Sequence, residues 1–195
     1  MTFQDLDLAG TYSYADYLKW TFDERIELIK GKIFSMSAPA RQHQRISGKI
    51  FNRIYNFLGE DSPCHVYEAP FDVRLTPLKS NTKEDKIHTV VQPDICVICD
   101  LAKLDDRGCI GSPDLIIEIL SPGNSRKEMK EKYEIYEENG VKEYWLVEPA
   151  EKAIFVYVLN EKGKYIGLQP ASQGDMIKSS VMQGFEASVT AIFKD

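Results

Sequence analysis

Ser112-Pro-Asp-Leu-Ile-Ile-Glu-Ile-Leu-Ser-Pro122 is the stretch that decides the fold of this chain. Between its two prolines, Leu115-Ile-Ile117 and Ile119-Leu120 are apolar on both alternating faces, the pattern of a strand covered on both sides. Glu118 interrupts that run. An ionised carboxylate in such surroundings is costly unless a cation, a donor or a metal compensates it, so Glu118 is a candidate for chemistry. Asp114, directly after Pro113, has the plainer reading of a strand-entrance residue that is solvated or caps a turn.

Upstream, Val90 to Cys99 is a second strand of the same kind, and it carries Gln92-Pro-Asp94. The linker Asp100 to Pro113, with Asp105, Asp106, Gly108 and Gly111, reads as a wide turn. Asp94 and Glu118 are 24 residues apart, which lets two adjacent strands hold both carboxylates on one face. Two carboxylates so placed repel unless a divalent cation bridges them. Mg²⁺ or Mn²⁺, which prefer oxygen ligands and keep several waters, suit such a pair. Histidine is scarce: only His43, His65 and His88 occur, none paired at ligand spacing. Gln92, one alternate residue before Asp94, can hydrogen-bond the site or satisfy a neighbouring amide.

Further out, Ile46, Ile50 and Ile54 recur at helical spacing and predict a helix over 41–58, ended by Gly59. Arg41, Arg45, Lys49 and Arg53 recur every four residues beside that apolar face, with no acid from 41 to 59, and form a positive stripe. It reads either as a DNA contact or as a solvated face. Tyr14 to Trp20 is a short amphipathic helix, and Lys30-Gly31 turns a small hairpin that contains Glu27. Cys64 to Leu75 reads as a strand and Thr76 to His88 as an exposed loop. Downstream, Ser125-Arg-Lys-Glu128 is a capping box that opens a helix over 126–139. Met129, Tyr133 and Tyr136 form its apolar face; Lys132 flanks that face and Lys130 points further away. Glu143 to Val147 is another strand, and Ala153 to Leu159 with Tyr165 to Leu168 make a hairpin. The core order is helix, three strands, helix, strand.

The chain has 195 residues, suited to one domain over 1–195. With 43% hydrophobic and 28% charged residues it should fold on its own, and its net charge of −6 excludes a wholesale basic footprint. No run approaches the ~20 apolar residues of a membrane span. The four cysteines are too few for a disulfide framework and no apolar signal segment precedes them, so a cytoplasmic location is expected. Cys96 and Cys99 lie three apart in a strand and therefore read as core cysteines rather than a zinc site.

Glu27-Leu-Ile-Lys-Gly-Lys-Ile33, Gln92-Pro-Asp94, Ser112 to Pro122 and Gly140-Val-Lys-Glu-Tyr-Trp-Leu-Val-Glu-Pro149 together resemble the Uma family of restriction endonucleases, a branch of the PD-(D/E)XK nuclease superfamily. The resemblance covers the chain from Tyr12 to Leu159. It implies an α/β, restriction-endonuclease-like αβββαβ core, a mixed central sheet flanked by helices, with additional β-hairpins at both ends. It also implies an endonuclease that hydrolyses DNA with Mg²⁺ or Mn²⁺, with Asp94 and Glu118 as metal ligands and Glu27 as an auxiliary acid. The superfamily's lysine stands two residues after the second acid, where this chain has Leu120; Uma-type sequences supply it from the next helix, which makes Lys132 the candidate and Lys130 the runner-up. A homodimer would bring two sites to two strands. The rivals are a non-catalytic DNA-binding or regulatory protein that keeps the fold, and a hydrolase of RNA or nucleotides.

Overall fold

The computed structural model describes residues 3–36, 38–76, 82–121 and 126–194, with the backbone alone at 126–128. The chain opens with α1 (Tyr14–Tyr17) and the hairpin β1 (Ile26–Ile29) and β2 (Lys32–Ser35). Lys30 and Gly31 turn that hairpin with φ of 51° and 78°, the positive pair that a type I′ turn needs. Next comes α2 (Arg41–Leu58), which buries Ile46, Ile50 and Ile54 and ends at Gly59. β3 (His65–Glu68), β4 (Val73–Arg74), β5 (Val90–Val91), β6 (Ile95–Ile98), β7 (Leu104–Asp105), β8 (Gly108–Ile110) and β9 (Leu115–Ile119) follow. After α3 (Arg126–Glu138) come β10 (Glu143–Glu148), β11 (Ala153–Leu159), β12 (Tyr165–Gly167), β13 (Met176–Lys178), β14 (Glu186–Ser188) and α4 (Val189–Phe193).

One six-stranded sheet has the order β12-β11-β10-β9-β6-β3. Only β9 and β10 in it are parallel, and α3 makes the crossover that parallel neighbours require. The elements α2, β3, β6, β9, α3 and β10 are thus the αβββαβ unit read from the sequence. Alternation along β9 sorts the core into two sides. Leu115, Ile117 and Ile119 face Ile46, Ile50 and Ile54 of α2 together with the C-terminal segment. Ile116 faces the other way, toward Ile135 and Tyr136 of α3 and toward Ile29, Val73 and Val91 of a second sheet. Each fully buried side chain of this kind stabilises by about 1.5–3 kcal/mol relative to exposure. Glu118 lies on that second side.

The second sheet, β2-β1-β5-β4-β8-β7, is the main departure from the sequence reading, which expected isolated hairpins and helices covering both faces. It arises because two predicted strands are each split between sheets. Val90 to Cys99 breaks into β5 and β6 at Pro93, which has no N–H to continue a central ladder. Gln92 and Asp94 therefore sit on the crossover between sheets rather than on one strand face. Cys64 to Leu75 breaks at Pro70 into β3 and β4 in the same way. The linker read as a wide turn contains β7 and β8, and β8 pairs in parallel with β4. Gly108 permits this: its φ is 123°, and a Cβ there would collide with the Asp72 carbonyl.

Cys96 and Cys109 are buried thiols. Cys99, read as a core cysteine, is instead bonded to Cys64. The pair stands one step beyond the His65–Ile98 pair of the β3–β6 ladder, so the two side chains meet directly across it. The Ser125–Glu128 capping box and the tip of the Thr76 to His88 loop lie outside the described residues. The described remainder of that loop includes a short helical turn at Glu84–Lys86, after which Ile87 packs against Tyr14, Leu28 and Val90.

Candidate active site

Two strands and the turn that leads into β6 deliver the carboxylates. Ile95 pairs with Ile117, so one step further along the antiparallel ladder Asp94 stands opposite Glu118. Glu27 comes from β1 of the other sheet, where all four residues are buried. Lys132 rises from α3, one turn before Tyr136. Its Nζ lies 3.0 Å from Glu118 Oε1 and 3.0 Å from Glu27 Oε2, so a single ammonium joins both sheets through the helix. The Tyr136 hydroxyl donates to the same Glu118 oxygen at 2.6 Å, and the Gln92 amide donates to Glu27 Oε1 at 2.8 Å.

Asp94 is held differently. Its Oδ2 accepts the Ile119 amide at 2.7 Å and lies 3.1 Å from His43 Nε2. His43 is in the first turn of α2, three residues before Ile46 and hence on the buried side of that helix. The sequence reading passed over it because no second histidine stands at ligand spacing; a polar ring in phase with Ile46 and Ile50 was the available signal. His43 Nδ1 is buried and has no hydrogen-bond partner among the described residues. Tyr136 was likewise read only as part of an apolar face.

Glu118 and Glu27 share one ammonium while Asp94 has only an imidazole and a backbone amide, so these three carboxylates are short of positive charge. Burial first, then the charges of Asp94 and Glu27, push Glu118 up to about 7 against the pull of Lys132 and the Tyr136 hydroxyl. Burial alone would lower the Lys132 ammonium, yet Glu118 and Glu27 outweigh it and hold that group well above its ordinary value. For His43 burial also acts downward, and the contact with Asp94 overrides it, so its pKa is raised.

Arg25, Glu27, His43, Asp94, Glu118 and Lys132 line one cleft of about 420 Å³. Asp94 Oδ1 and Glu118 Oε2 accept no hydrogen bond among the described residues. Among those residues no three His, Cys, Asp or Glu side chains converge as a metal cage. The donor set is thus two facing carboxylates with a free oxygen each, which matches a hard cation held by one or two carboxylates and several waters.

The structure brings together Asp94, Glu118, Lys132 and Glu27. Lys130 is apart from them, exposed on α3 and within 3.7 Å of Glu134. Asp114 is apart as well: it accepts the Cys99 amide at 2.8 Å and Lys142 Nζ at 2.6 Å, which is the strand-entrance role. Gln92 serves the site through its backbone amide, while its side chain accepts from Arg25 and donates to Asp72 and the Tyr17 hydroxyl. The basic stripe divides. Arg41 and Arg45 are exposed, whereas Lys49 Nζ donates to the Lys194 carbonyl and Arg53 to the Lys49 carbonyl at 2.8 Å.

Three comparisons bear on this geometry. The Uma2 family model, described as "Putative restriction endonuclease", matches residues 14–190. A protein of Synechocystis sp. described as uncharacterized is 23% identical over 177 residues, covering 89% of this chain and 88% of its own. A crystal structure from Anabaena variabilis ATCC 29413, described as "a putative nuclease belonging to DUF820", shares the fold with a TM-score of 0.72 at 19% identity, over 93% of this chain and 97% of that one.

Proposed function

Because this chain belongs to the Uma2 family, we propose that it is a divalent-metal-dependent endonuclease that hydrolyses DNA phosphodiester bonds in the cleft around Glu118. The observation that carries this reading is the charge balance: two facing carboxylates with free oxygens, a third carboxylate behind them, and one buried ammonium shared between two of the three. That arrangement calls for a second cation. Asp94 and Glu118 would hold Mg²⁺ or Mn²⁺. Such an ion, when bound, makes a coordinated water acidic and offsets charge on a phosphate.

The chain's own residues supply the rest. His43 Nε2 and the Ile119 amide fix Asp94 through Oδ2, which leaves Oδ1 for the ion. Tyr136 and Lys132 fix Glu118 through Oε1 and leave Oε2. Lys132 Nζ, charged throughout the neutral range, is the group to orient the attacking water or to stabilise the negative charge that grows on the phosphoryl oxygens. Glu27 holds that ammonium in place from the other side. Arg41 and Arg45, the exposed half of the stripe, stand on the helix that carries His43 and are the first DNA contacts to test. Cutting both strands of a duplex calls for two such sites, which a homodimer would provide.

Calorimetric Mn²⁺ titration of the wild type and of Asp94→Ala and Glu118→Ala is the decisive experiment, run beside cleavage assays on DNA, RNA and small phosphodiesters. The reading expects binding by the wild type, its loss in both variants, and cleavage of DNA. A wild type that binds DNA but no divalent ion would identify a regulatory protein on a nuclease fold, and preferred cleavage of RNA or nucleotides would move the substrate.

A further inference from the structure

The cleft carries Glu27, Glu68, Asp94 and Glu118 on its walls, so a polyanionic strand needs a cation there to approach at all. Lys132 is committed to Glu118 and Glu27, and His43 to Asp94. Arg25 is not committed. Its guanidinium makes a single side-chain hydrogen bond, from NH2 to Gln92 Oε1 at 3.0 Å, and among the described residues it forms no ion pair. The acceptor is neutral, so the positive charge of Arg25 stays available.

Its anchor is rigid. Gln92 is buried, and its amide is oriented by donation to Asp72 at 2.9 Å and to the Tyr17 hydroxyl at 3.3 Å, which turns Oε1 toward Arg25. The Arg25 carbonyl accepts the Met36 amide at 2.9 Å, extending the β1–β2 ladder by one pair and fixing the backbone. Arg25 and Glu27 are two residues apart, roughly 7 Å along the strand, and both line the cleft. One is exposed at the rim and the other is at the floor. We propose that Arg25 binds a backbone phosphate of the DNA strand at the rim of the cleft, with the planar fork of its guanidinium engaging two phosphate oxygens. The proposal rests on the nuclease reading above and adds to it the residue that holds the substrate strand beside the carboxylates.

The test measures binding of a fluorescein-labelled mixed-sequence DNA duplex, and separately its single strand, by anisotropy in Ca²⁺ across a salt series. Mn²⁺ titration of each variant runs in parallel. Arg25→Gln should weaken binding about ten-fold and lower the slope of log K against log salt by about 0.9 for duplex or about 0.7 for single strand, one phosphate's share. Its Mn²⁺ affinity should be unchanged. Arg25→Lys should keep the salt slope while losing part of the affinity, because it retains charge without the fork. Unchanged DNA binding by Arg25→Gln, with a binding wild type, overturns the assignment. Parallel loss of Mn²⁺ affinity overturns it too, since the residue would then act on the carboxylates. A wild type that binds no DNA removes the nuclease reading first and this inference with it.

Discussion

Glu118 and Glu143 are both glutamates buried in neighbouring parallel strands of one sheet, and they lie at opposite ends: Glu118 is level with Leu146, Glu143 with Leu115. Glu143 is fully buried and accepts from Trp145 Nε1 at 2.5 Å, from the Ser180 amide at 2.7 Å and its hydroxyl, and from the Val181 amide at 3.2 Å. All these donors are neutral, and they tie the C-terminal segment to the sheet. Glu118 shares its one ammonium with Glu27 and faces Asp94. Burial of an acid therefore does not by itself mark a site. An acid whose donors are all satisfied from its own surroundings holds the fold, whereas an acid in excess over its cations waits for another cation.

The largest expected effect is at the shared ammonium. Lys132→Ala leaves Glu27 and Glu118 buried without a counter-charge and should destabilise by about 3–5 kcal/mol in urea unfolding, while Lys130→Ala, a surface pair partner, should change stability by less than about 1 kcal/mol. Equal effects of the two would mean that Lys132 only packs its stem. Next is the structural glutamate. Glu143→Leu strands the donors of Trp145, Ser180 and Val181 and should cost about 3 kcal/mol, with Mn²⁺ affinity intact. Loss of metal binding in that variant would erase the distinction between the two ends of the sheet.

The smallest effect sharpens the comparison through pH. Burial and the neighbouring carboxylates push Glu118 up to about 7 in the folded chain from its ordinary 4.5, so between those values the folded state binds the extra proton. Its contribution to stability is fully present below about pH 4.5 and is lost as pH rises through about 7. Metal-free protein should therefore lose stability across that window, and Glu118→Gln should flatten the slope while leaving stability at pH 5 nearly unchanged. Asp105 and Glu137, held below their ordinary values by hydrogen bonds from Arg74 and Lys164, act in the opposite sense, and their contribution is lost only as pH falls below the ordinary carboxylate range. A variant that keeps the wild-type slope would assign the titration to another group.

Local pattern carried a large part of this site. The apolar runs placed Glu118 within a buried strand and Asp94 beside it, though Asp94 stands one residue before β6 rather than in a strand, and the phase of Met129, Tyr133 and Tyr136 put Lys132, not Lys130, toward the core. Those inferences need only the geometry of a single strand or helix, in which a residue's own neighbours tell which way it faces. Glu143 was passed over because its strand, Glu143 to Val147, begins with it, and an acid at a strand end reads as solvated. The C-terminal segment that buries it arrives from 37 residues away.

What the sequence by itself determined is the order helix, three strands, helix, strand, the facing pair Asp94 and Glu118, and the inward phase of Lys132. Only the tertiary structure decided that a second sheet, stepping across Pro70 and Pro93, covers the site, that Glu27 meets Lys132 over a separation of 105 residues, and that His43 meets Asp94 over 51. It also decided the pairing of Cys64 with Cys99. The physical reason is that periodicity reports the face on which a side chain lies, whereas its partner across that face is chosen by long-range strand pairing and packing, for which neighbouring residues carry no signal.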